Sequence, residues 1–482
     1  MAGTYRTPGV YVEEISTFPP SVAQVQTAIP AFIGYTEKSE TIKDTDDLAG
    51  VPHRITSLLE YESYFGGPEN ESITVVVSNP DTADNQAMMP VSASIASPSA
   101  FKMYYAVRHY FANGGGPCYI LSVGKTSGGS VSHSTLSGNN GLGKIKEIDE
   151  VTLYLLPDME GITNNDQYYG VYTTALQHCA DLGDRFCVID IRKGAGTPIP
   201  TFREKIGINN LKYGAAYWPH LQTSYNYQYA DATVTFSQAV NADGGDNKFD
   251  TTTLANAKDS GHAEAAFFAT NFTTAFEAEL KNVINKLFVT LAPSAAVCGV
   301  YANVDSNRGV WKAPANVSLN NVVKPLELIT DETQEDLNMP NDGGGKSVNA
   351  IRSFTGKGIL VWGARTLAGN DNEWRYVPVR RFFNMVEESV KKATEQFVFE
   401  PNDANTWVKI KAMISNYLTT LWRQGALAGA KPEHAFRVSV GLNETMTAQD
   451  ILEGKLVVEI AMAAVRPAEF IILRFMHKMQ ES

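Results

Sequence analysis

The chain has 482 residues, of which 44% are hydrophobic and 19% are charged. At ~150 residues per domain this length predicts about three domains, and the composition excludes wholesale disorder. The 52 acidic residues outnumber the 40 basic ones, so the chain carries a net charge of −12. Binding to nucleic acid or to an anionic membrane surface requires surplus Lys and Arg, and this composition therefore disfavours both.

The cysteines indicate a protein of a reducing compartment. Four cysteines are too few for a disulfide framework in a chain of this length. Each lies in or beside an apolar run, where a free Cys behaves as a small buried hydrophobe, so we expect a cytosolic protein with four buried thiols: Cys118, Cys179, Cys187 and Cys298. None of them has a second Cys or a His at zinc-binding spacing, and no metal site is predicted.

Two segments bear on targeting and membranes. The N-terminus lacks a basic region followed by an apolar one, which predicts no secretory signal. Residues 287–304 carry no charge, but Pro293 and Gly299 interrupt them. We expect a helix end, a turn and a buried strand there, and no direct membrane insertion.

Residues 1–28 are unlike a domain. Turn residues at 7–9 come first, and a proline pair follows later. Between them lies an alternating strand pattern, Val10, Tyr11 and Val12. Because a lone strand cannot satisfy its backbone, we expect an extended arm that carries one strand. A frayed terminus is the alternative.

The next residues predict strands alternating with a helix. Apolar runs at 31–35 and 118–123 predict strands, and the helical spacing of aromatic residues over 101–113 predicts a helix between them. Residues 124–143 are rich in Gly and Ser, which predicts a mobile surface loop.

The clearest local pattern is a strand over 151–156, a helix over 168–182 and a second strand over 185–191. Such a βαβ unit indicates an α/β fold with a parallel sheet. Tyrosine-rich alternation over 223–253 predicts a surface β-hairpin, and helical periodicity returns over 263–291.

The C-terminal part combines helices and strands. A strand over 359–362 leads to helices over 377–397 and 404–423, and alternation at 456–460 predicts another strand. After a proline, the chain ends in a further apolar strand pattern: Phe470, Ile471, Ile472 and Leu473. The residues thus predict an α/β fold with a mixed or parallel sheet, helices and strands in the C-terminal part, and a strand pattern at each end of the chain.

Candidate chemistry is sparse. Residues 343–347 contain the Gly-Lys-Ser of a phosphate-binding loop, but Pro340 occupies the position of the required earlier glycine, which favours a flexible loop. The eight His residues are scattered and form no hydrolase or metalloprotease motif. Arg365, Arg380 and Arg381 lie near aromatic residues, and structural ion pairs or subunit contacts are favoured over single-stranded nucleic acid. We predict no catalytic, cofactor-binding or metal-binding residues.

A series of short motifs runs along the chain, at 5–14, 27–35, 64–67, 111–119, 184–186, 299–301, 305–316, 349–352, 361–366, 379–381, 399–402 and 466–470. In their order and their spread they resemble the contractile tail sheath family of phage tails and phage-tail-like injection particles. Residues 124–150 and 223–262 match nothing in that family.

The resemblance implies a domain organisation. It comprises an N-terminal linking arm (1–28), an α/β sheath body (29–355) with surface insertions near 124–150 and 223–262, a C-terminal α+β domain facing the inner tube (356–465), and a C-terminal linking arm (466–482). The arms would add strands to neighbouring subunits through Val10, Tyr11, Val12, Phe470, Ile471, Ile472 and Leu473. Tube contacts are expected among the basic residues Lys409, Lys411, Arg423 and Lys431, for which a solvated helix face is the alternative.

The implied function is that of a structural subunit, not an enzyme. It would polymerise as stacked helical rings of six subunits around an inner tube and contract to drive the tube through a target envelope. The implied partners are itself, the inner tube protein, and baseplate and terminal cap proteins, with no cofactor and no nucleic acid. Assembly would take place in the bacterial cytoplasm, as part of a phage tail or a released or anchored particle. The alternative is an α/β enzyme or a nucleotide-binding protein with an unrecognised site.

Overall fold

The structure is a computed structural model that describes residues 22–41, 47–78, 89–194, 197–238, 252–259, 273–340 and 345–474. The chain divides into two compact units. The larger unit comprises Gln26–Asn384 and Arg466–Ser482, and the smaller unit comprises Met1–Val25 and Met385–Val465.

The strands follow one another along the chain as β1 (Pro30–Thr36), β2 (His53–Ile55), β3 (Ile73–Val77), β4 (Pro90–Ser94), β5 (Cys118–Lys125), β6 (Leu153–Leu155), β7 (Phe186–Asp190), β8 (Gly214–Trp218) and β9 (Leu221–Asn226). They continue as β10 (Val234–Gln238), β11 (Phe288–Leu291), β12 (Val317–Ser318), β13 (Val322–Pro325), β14 (Val348–Phe354), β15 (Gly358–Val361), β16 (Phe436–Ser439) and β17 (Glu459–Met462).

The α-helices are α1 (Leu58–Phe65), α2 (Met103–Ala112), α3 (His133–Ser137), α4 (Leu142–Ile145), α5 (Asn165–Leu182), α6 (Pro198–Lys205) and α7 (Leu254–Lys258). They continue as α8 (Thr274–Ile284), α9 (Ser294–Arg308), α10 (Asp331–Asn338), α11 (Val377–Thr394), α12 (Ala404–Arg423), α13 (Pro432–Ala435) and α14 (Ala448–Leu452). Single 3₁₀ turns occur at Met159–Gly161, Leu211–Tyr213, Asp231–Thr233 and Glu395–Phe397.

A nine-stranded sheet organises the larger unit, in the order β12-β15-β14-β8-β7-β6-β1-β5-β2. The six consecutive strands from β14 to β5 are parallel, and β2, β15 and β12 each pair with their neighbours in antiparallel orientation. The predicted βαβ unit is confirmed, since β6 and β7 pair in parallel and α5 connects them. Asn164 caps the start of α5 by accepting the Gln167 N–H, and Gly183 ends it in the left-handed conformation at φ 77°.

Alternate residues of the central strands pack on opposite faces of this sheet. In β1, Ala31 and Ile33 join a cluster with the apolar side of α5, whereas Phe32 joins a second cluster with α2 and α9. Fully buried parallel strands of this kind require helices on both faces. The four cysteines are free and buried, as predicted. The mixed α/β class is therefore confirmed for this unit.

Two insertions differ from the sequence-based expectation. The Gly- and Ser-rich loop predicted at 124–143 is wrong, because α3 and α4 form there and bury Leu136, Leu142 and Ile145 in the core. Of the hairpin predicted at 223–253, the part that involves β9 is wrong, because β9 pairs with β11 and β13. β10 pairs in parallel with β3, and Thr235 also forms an antiparallel bridge with Thr253, as a hairpin over 234–253 predicts. Residues 239–251 lie outside the described part of the chain.

The uncharged stretch 287–304 folds as β11 followed by α9, so the buried strand predicted at its end is wrong. Of the helix predicted over 263–291, α8 is present, Phe288–Leu291 is strand, and 263–272 fall outside the described residues. In the described ranges, none of the helices combines the length and apolar character needed to span a bilayer.

The smaller unit is built on α12 and the two-stranded sheet of β16 and β17. The helix predicted over 404–423 is confirmed with the same bounds. Asp403 caps it by accepting the Thr406 N–H over 2.9 Å. One side of the helix is buried, and the residues on that side include Ile410, Ile414 and Leu421.

Candidate assembly interface

The predicted C-terminal arm contains an exposed apolar run within the larger unit. Residues 465–474 adopt neither helix nor regular strand in the single chain. The strand that 470–473 are predicted to form with a neighbouring copy stays a prediction. The exposed fractions of the four side chains are 66%, 80%, 78% and 72% for Phe470, Ile471, Ile472 and Leu473, respectively. Burying one such side chain is worth about 1.5–3 kcal/mol. Four consecutive exposed apolar residues are typical of a surface that another chain covers.

Glu469 fixes the chain to the larger unit immediately before this run. Arg365 is 1% exposed, and its guanidinium donates from Nε to Glu469 Oε1 over 2.9 Å and from Nη2 to Oε2 over 2.6 Å. Tyr376 Oη donates to Oε2 over 3.2 Å, and Asn338 Nδ2 donates to Oε1 over 3.1 Å. A bidentate arginine–carboxylate pair with two further donors is geometrically specific, so the position of Glu469 is set by the folded unit.

A second buried arginine holds Thr27, which belongs to the predicted N-terminal arm. Arg381 is 4% exposed, and it donates to the Asp305 carboxylate over 2.5 and 3.1 Å and to the Thr27 carbonyl over 2.9 Å. Thr27 Oγ1 donates to the same carboxylate over 2.6 Å. Burial lowers the pKa of Arg381 while Asp305 raises it, and the net shift is upward. The ion pairs predicted for Arg365 and Arg381 are therefore confirmed.

The predicted N-terminal strand contacts Val10, Tyr11 and Val12 lie outside the described residues, and they stay a prediction. Closer to the body, the Val25 N–H donates to Ser389 Oγ over 3.1 Å within the smaller unit.

Among the described residues, the sheet of β16 and β17 in the smaller unit has no third strand at either edge. The strands are antiparallel and pair Phe436 with Met462 and Ser439 with Glu459. Neither strand pairs with a third strand in the described part of the chain. Each outer edge therefore offers backbone N–H and C=O groups for an added strand.

The four predicted tube contacts are all exposed, but they do not all lie on one helix face. Lys409 and Lys411 lie two positions apart on α12, so their side chains diverge by about 200° around the helix axis. Lys411 is within 3.8 Å of Glu444. Arg423 lies within about 40° of Lys409 around the helix but about 21 Å further along it, and Lys431 precedes α13. Of these four residues, Lys409 and Arg423 share one helix face.

The Gly-Lys-Ser segment has its functional groups turned into the fold. Lys346 is buried, and its ammonium donates to the carbonyl of Arg203. Ser347 Oγ donates to the carbonyl of Asn338 over 2.7 Å. Both groups that would contact a nucleotide phosphate and its magnesium therefore hold the chain together.

Buried ionisable groups collect at the carboxyl ends of the parallel strands, and sequence reasoning missed them. Asp190 ends β7, and it accepts hydrogen bonds from the Ser294 N–H over 2.9 Å and from Ser294 Oγ over 2.5 Å. Burial raises the pKa of Asp190 and of Asp158 to about 6. His220 Nε2 lies 3.1 Å from Glu160 Oε1 nearby. Ser294 begins α9 and is 3% exposed, so its bonds to Asp190 attach that helix to the sheet.

No cluster of three or more His, Cys, Asp or Glu side chains that could hold a metal occurs among the described residues. The partners of the two buried arginines, Glu469 and Asp305, were also missed. Both lie inside motifs of the resemblance, which was the available signal, but sequence spacing does not pair residues this far apart.

Part of the chain matches a known family directly. Residues 369–477 match the family described as the phage tail sheath C-terminal domain. The tail sheath protein of Burkholderia phage BcepMu is 30% identical to this chain over 143 residues. That alignment covers 29% of this chain and 29% of the phage protein, so the match spans less than a third of that relative.

Two solved structures match nearly the whole chain. A chain in the cryo-EM structure of the anti-feeding prophage baseplate is 31% identical with a TM-score of 0.63, over 99% of this chain and 100% of that chain. A chain in the contracted PVC sheath complex of an extracellular contractile injection system is 30% identical with a TM-score of 0.64, over 99% of both chains. The likeness thus covers the α/β body as well as the C-terminal domain.

Proposed function

The chain belongs to the contractile tail sheath family and is a structural subunit of a contractile sheath, and we propose that it joins neighbouring copies by exchanging its terminal arms. The observation that carries the proposal is the exposed run 470–473, which follows directly on the clamped Glu469. Glu469 is held firmly by its own subunit, whereas the apolar residues that follow it are exposed. This combination is what we expect of a segment that leaves its own subunit and is buried by another.

The open edges of β16 and β17 are the proposed receiving surface. Strand addition forms main-chain hydrogen bonds along an edge, and alternate side chains then supply specificity. Two open edges can accept two strands, one from the segment around Val10–Val12 and one from 470–473 of other copies. Completing a two-stranded sheet to four strands also makes it independently stable.

Arm exchange gives the assembly the connectivity that contraction requires. We propose stacked helical rings of six subunits around an inner tube, in which the arms keep subunits linked while their bodies reorient. The free energy of contraction would be stored in the assembled lattice, with no nucleotide. By likeness to a chain of the anti-feeding prophage baseplate structure, the proposed partners include a baseplate. Inner tube and terminal cap proteins complete the proposed set, and assembly is proposed to take place in the bacterial cytoplasm.

The arm contacts can be tested with a matched pair of substitutions. Ile471 and Ile208 are the same residue type and are 80% and 81% exposed. Ile471→Ser should abolish long striated tubes in negative-stain microscopy, because it removes apolar area that only assembly buries. Ile208→Ser lies outside the arms and should leave the tubes intact. Both variants should keep the thermal unfolding midpoint of the wild-type subunit, since neither side chain is buried in it.

Deleting residues 1–20 tests the N-terminal arm in the same way. The shortened chain should fold with a native circular dichroism spectrum and form no long tubes. Full-length tubes from Ile471→Ser and from the deletion would contradict arm exchange. Failure of the wild-type chain to form tubes under any condition would contradict the sheath function itself.

A further inference from the structure

Thr27 and Glu469 are the residues at which the N- and C-terminal arms are bonded to the larger unit, and we call them the arm roots. One short segment of that unit holds both roots. Arg365 lies at its start and holds Glu469, and Arg381 lies at its end and holds Thr27. The two roots are far apart in sequence, yet their anchoring arginines are separated by little more than a loop and one helical turn.

The chain between the two arginines is closed on itself by backbone hydrogen bonds. The Thr366 N–H donates to the Arg375 carbonyl over 2.8 Å, and the Val377 N–H donates to the Ala364 carbonyl over 2.9 Å. Arg365 consequently lies opposite Tyr376 as in an antiparallel ladder. Tyr376 also donates to Glu469. The contacts therefore run directly from Glu469 through Tyr376 to the start of α11, without passing through the loop over 367–375.

The rest of the path is one turn of helix. α11 begins at Val377, and Arg381 lies four residues later, about 6 Å along the axis. Its guanidinium reaches Asp305 and Thr27 from there. A hydrogen-bonded helix turn transmits displacement stiffly, since its backbone bonds resist extension.

The segment is also attached to the sheet beneath it. Asn349, in β14, accepts from the Arg365 N–H over 2.7 Å and donates to the Arg365 carbonyl over 2.8 Å. These two bonds fix the backbone of Arg365 to a strand with neighbours on both sides, so the clamp on Glu469 does not depend on a free loop.

We propose that residues 365–381 are a mechanical link between the two arms. A pull that enters at Thr27 passes through Arg381, the first turn of α11 and the Tyr376–Arg365 pair, and leaves at Glu469. This path contains no strand of the sheet, so part of the tension between neighbouring subunits bypasses the parallel strands. The inference rests on the proposed arm exchange for its role, but the coupling between the two roots is a property of the single subunit.

Hydrogen exchange on the dilute, full-length subunit tests that coupling. Glu469→Gln removes the charge that pairs with buried Arg365 while keeping the side-chain shape, and an unpaired buried guanidinium destabilises its surroundings. We expect the Val377 amide to exchange at least about tenfold faster. We also expect a rise of the same order at the Ile29 amide, which donates to Thr152 Oγ1 beside the other root.

Asp331→Asn is the matched control. It breaks the 2.7 Å ion pair between Asp331 and Arg352. Because the Asp331 side chain is 91% exposed, the exchange rates of the Val377 and Ile29 amides should not change. Faster exchange at Val377 with no change at Ile29 would show that the two roots are held independently and would overturn the link. Unchanged exchange at both amides would overturn it as well.

Assembled sheaths then give the functional readout. Tubes of Glu469→Gln should shear into shorter pieces than wild-type tubes under the same flow, by microscopy of length distributions. Equal lengths would refute the role in force transmission. Absence of tubes from the wild-type chain would instead count against the proposed function and leave the exchange result standing.

Discussion

Replacing Asp190 with Asn should reduce the pH dependence of subunit stability. Asp190 is 1% exposed, and burial raises the pKa of its carboxyl from 3.8 to about 6. Because the pKa is higher in the folded state than in the unfolded state, the folded chain binds the proton more tightly. The free energy of unfolding therefore rises as the pH falls from about 7 towards 4, and it declines again as the pH increases through about 6.

The size of the effect follows from the two pKa values. A difference of this size corresponds to about 3 kcal/mol across the whole titration. Between pH 7 and pH 5 a single such group contributes about 1.3 kcal/mol of added stability. Asp158, whose pKa burial also raises to about 6, should contribute a similar amount. Asn at position 190 can still accept from the Ser294 N–H. The Asp190→Asn variant should therefore lose only the part of the pH-dependent stability that Asp190 contributes.

Urea unfolding of the full chain at pH 5 and pH 7 measures this difference. Asp181→Asn is the control, because a hydrogen bond from Gln177 lowers the pKa of exposed Asp181 and keeps it ionised across this range. The control should retain the wild-type pH dependence. An Asp190→Asn subunit with the same pH dependence as wild type would refute the reasoning.

Three further variants address the fold and the tube surface. Lys346→Ala should lower the thermal unfolding midpoint, because the buried ammonium donates to a carbonyl and its loss costs about 1–3 kcal/mol. Gly34→Ala should destabilise the subunit by about 1–3 kcal/mol in denaturant titrations, since a Cβ there would meet the Asp158 carboxylate. Joint charge reversal at Lys409 and Arg423 should weaken co-sedimentation with the inner tube at low salt, and unchanged binding would remove both from the tube surface.

The spacing of apolar residues correctly predicted helices with one buried face and strands buried on both faces. α12 was predicted with its observed bounds because its buried residues recur on one face beside an exposed one. β7 was recognised because a strand buried on both faces is a short apolar run. Both signals are local, so they are available to the sequence alone.

The failures have physical causes of the same kind. α9 is buried on most sides and shows no polar stripe, so its apolar residues suggested a strand. Its Gly299 packs so closely on the Tyr110 carbonyl that a Cβ would lie 2.6 Å from it, a tertiary contact without a local signal. At 124–143 the Gly and Ser content outweighed two apolar residues, Leu136 and Leu142, that in fact anchor short helices. Composition describes the average of a segment, whereas a few buried side chains decide its structure.

The assembly contacts stay a prediction, and the sequence supplied no geometry for them. The apolar residues at 470–473 were identified as contacts from their pattern, and their exposure agrees with an uncovered surface. The clamps were predicted only as ion pairs, because the partners of Arg365 and Arg381 lie 104 and 76 residues away. Pairing at that range is set by the topology of the sheet, which sequence spacing does not encode.

Two polar groups of types that occur in active sites, Ser294 beside Asp190 and Lys346, form hydrogen bonds that hold the fold together. Ser294 would need to present its hydroxyl to a substrate, yet it is buried and donates both its Oγ–H and its N–H to Asp190. Lys346 would need to reach a phosphate, yet it donates to a backbone carbonyl. Buried polar groups with satisfied partners specify a unique packing. The arm exchange that we propose requires a subunit that keeps its fold while its neighbours pull on it, and this rigidity meets that requirement.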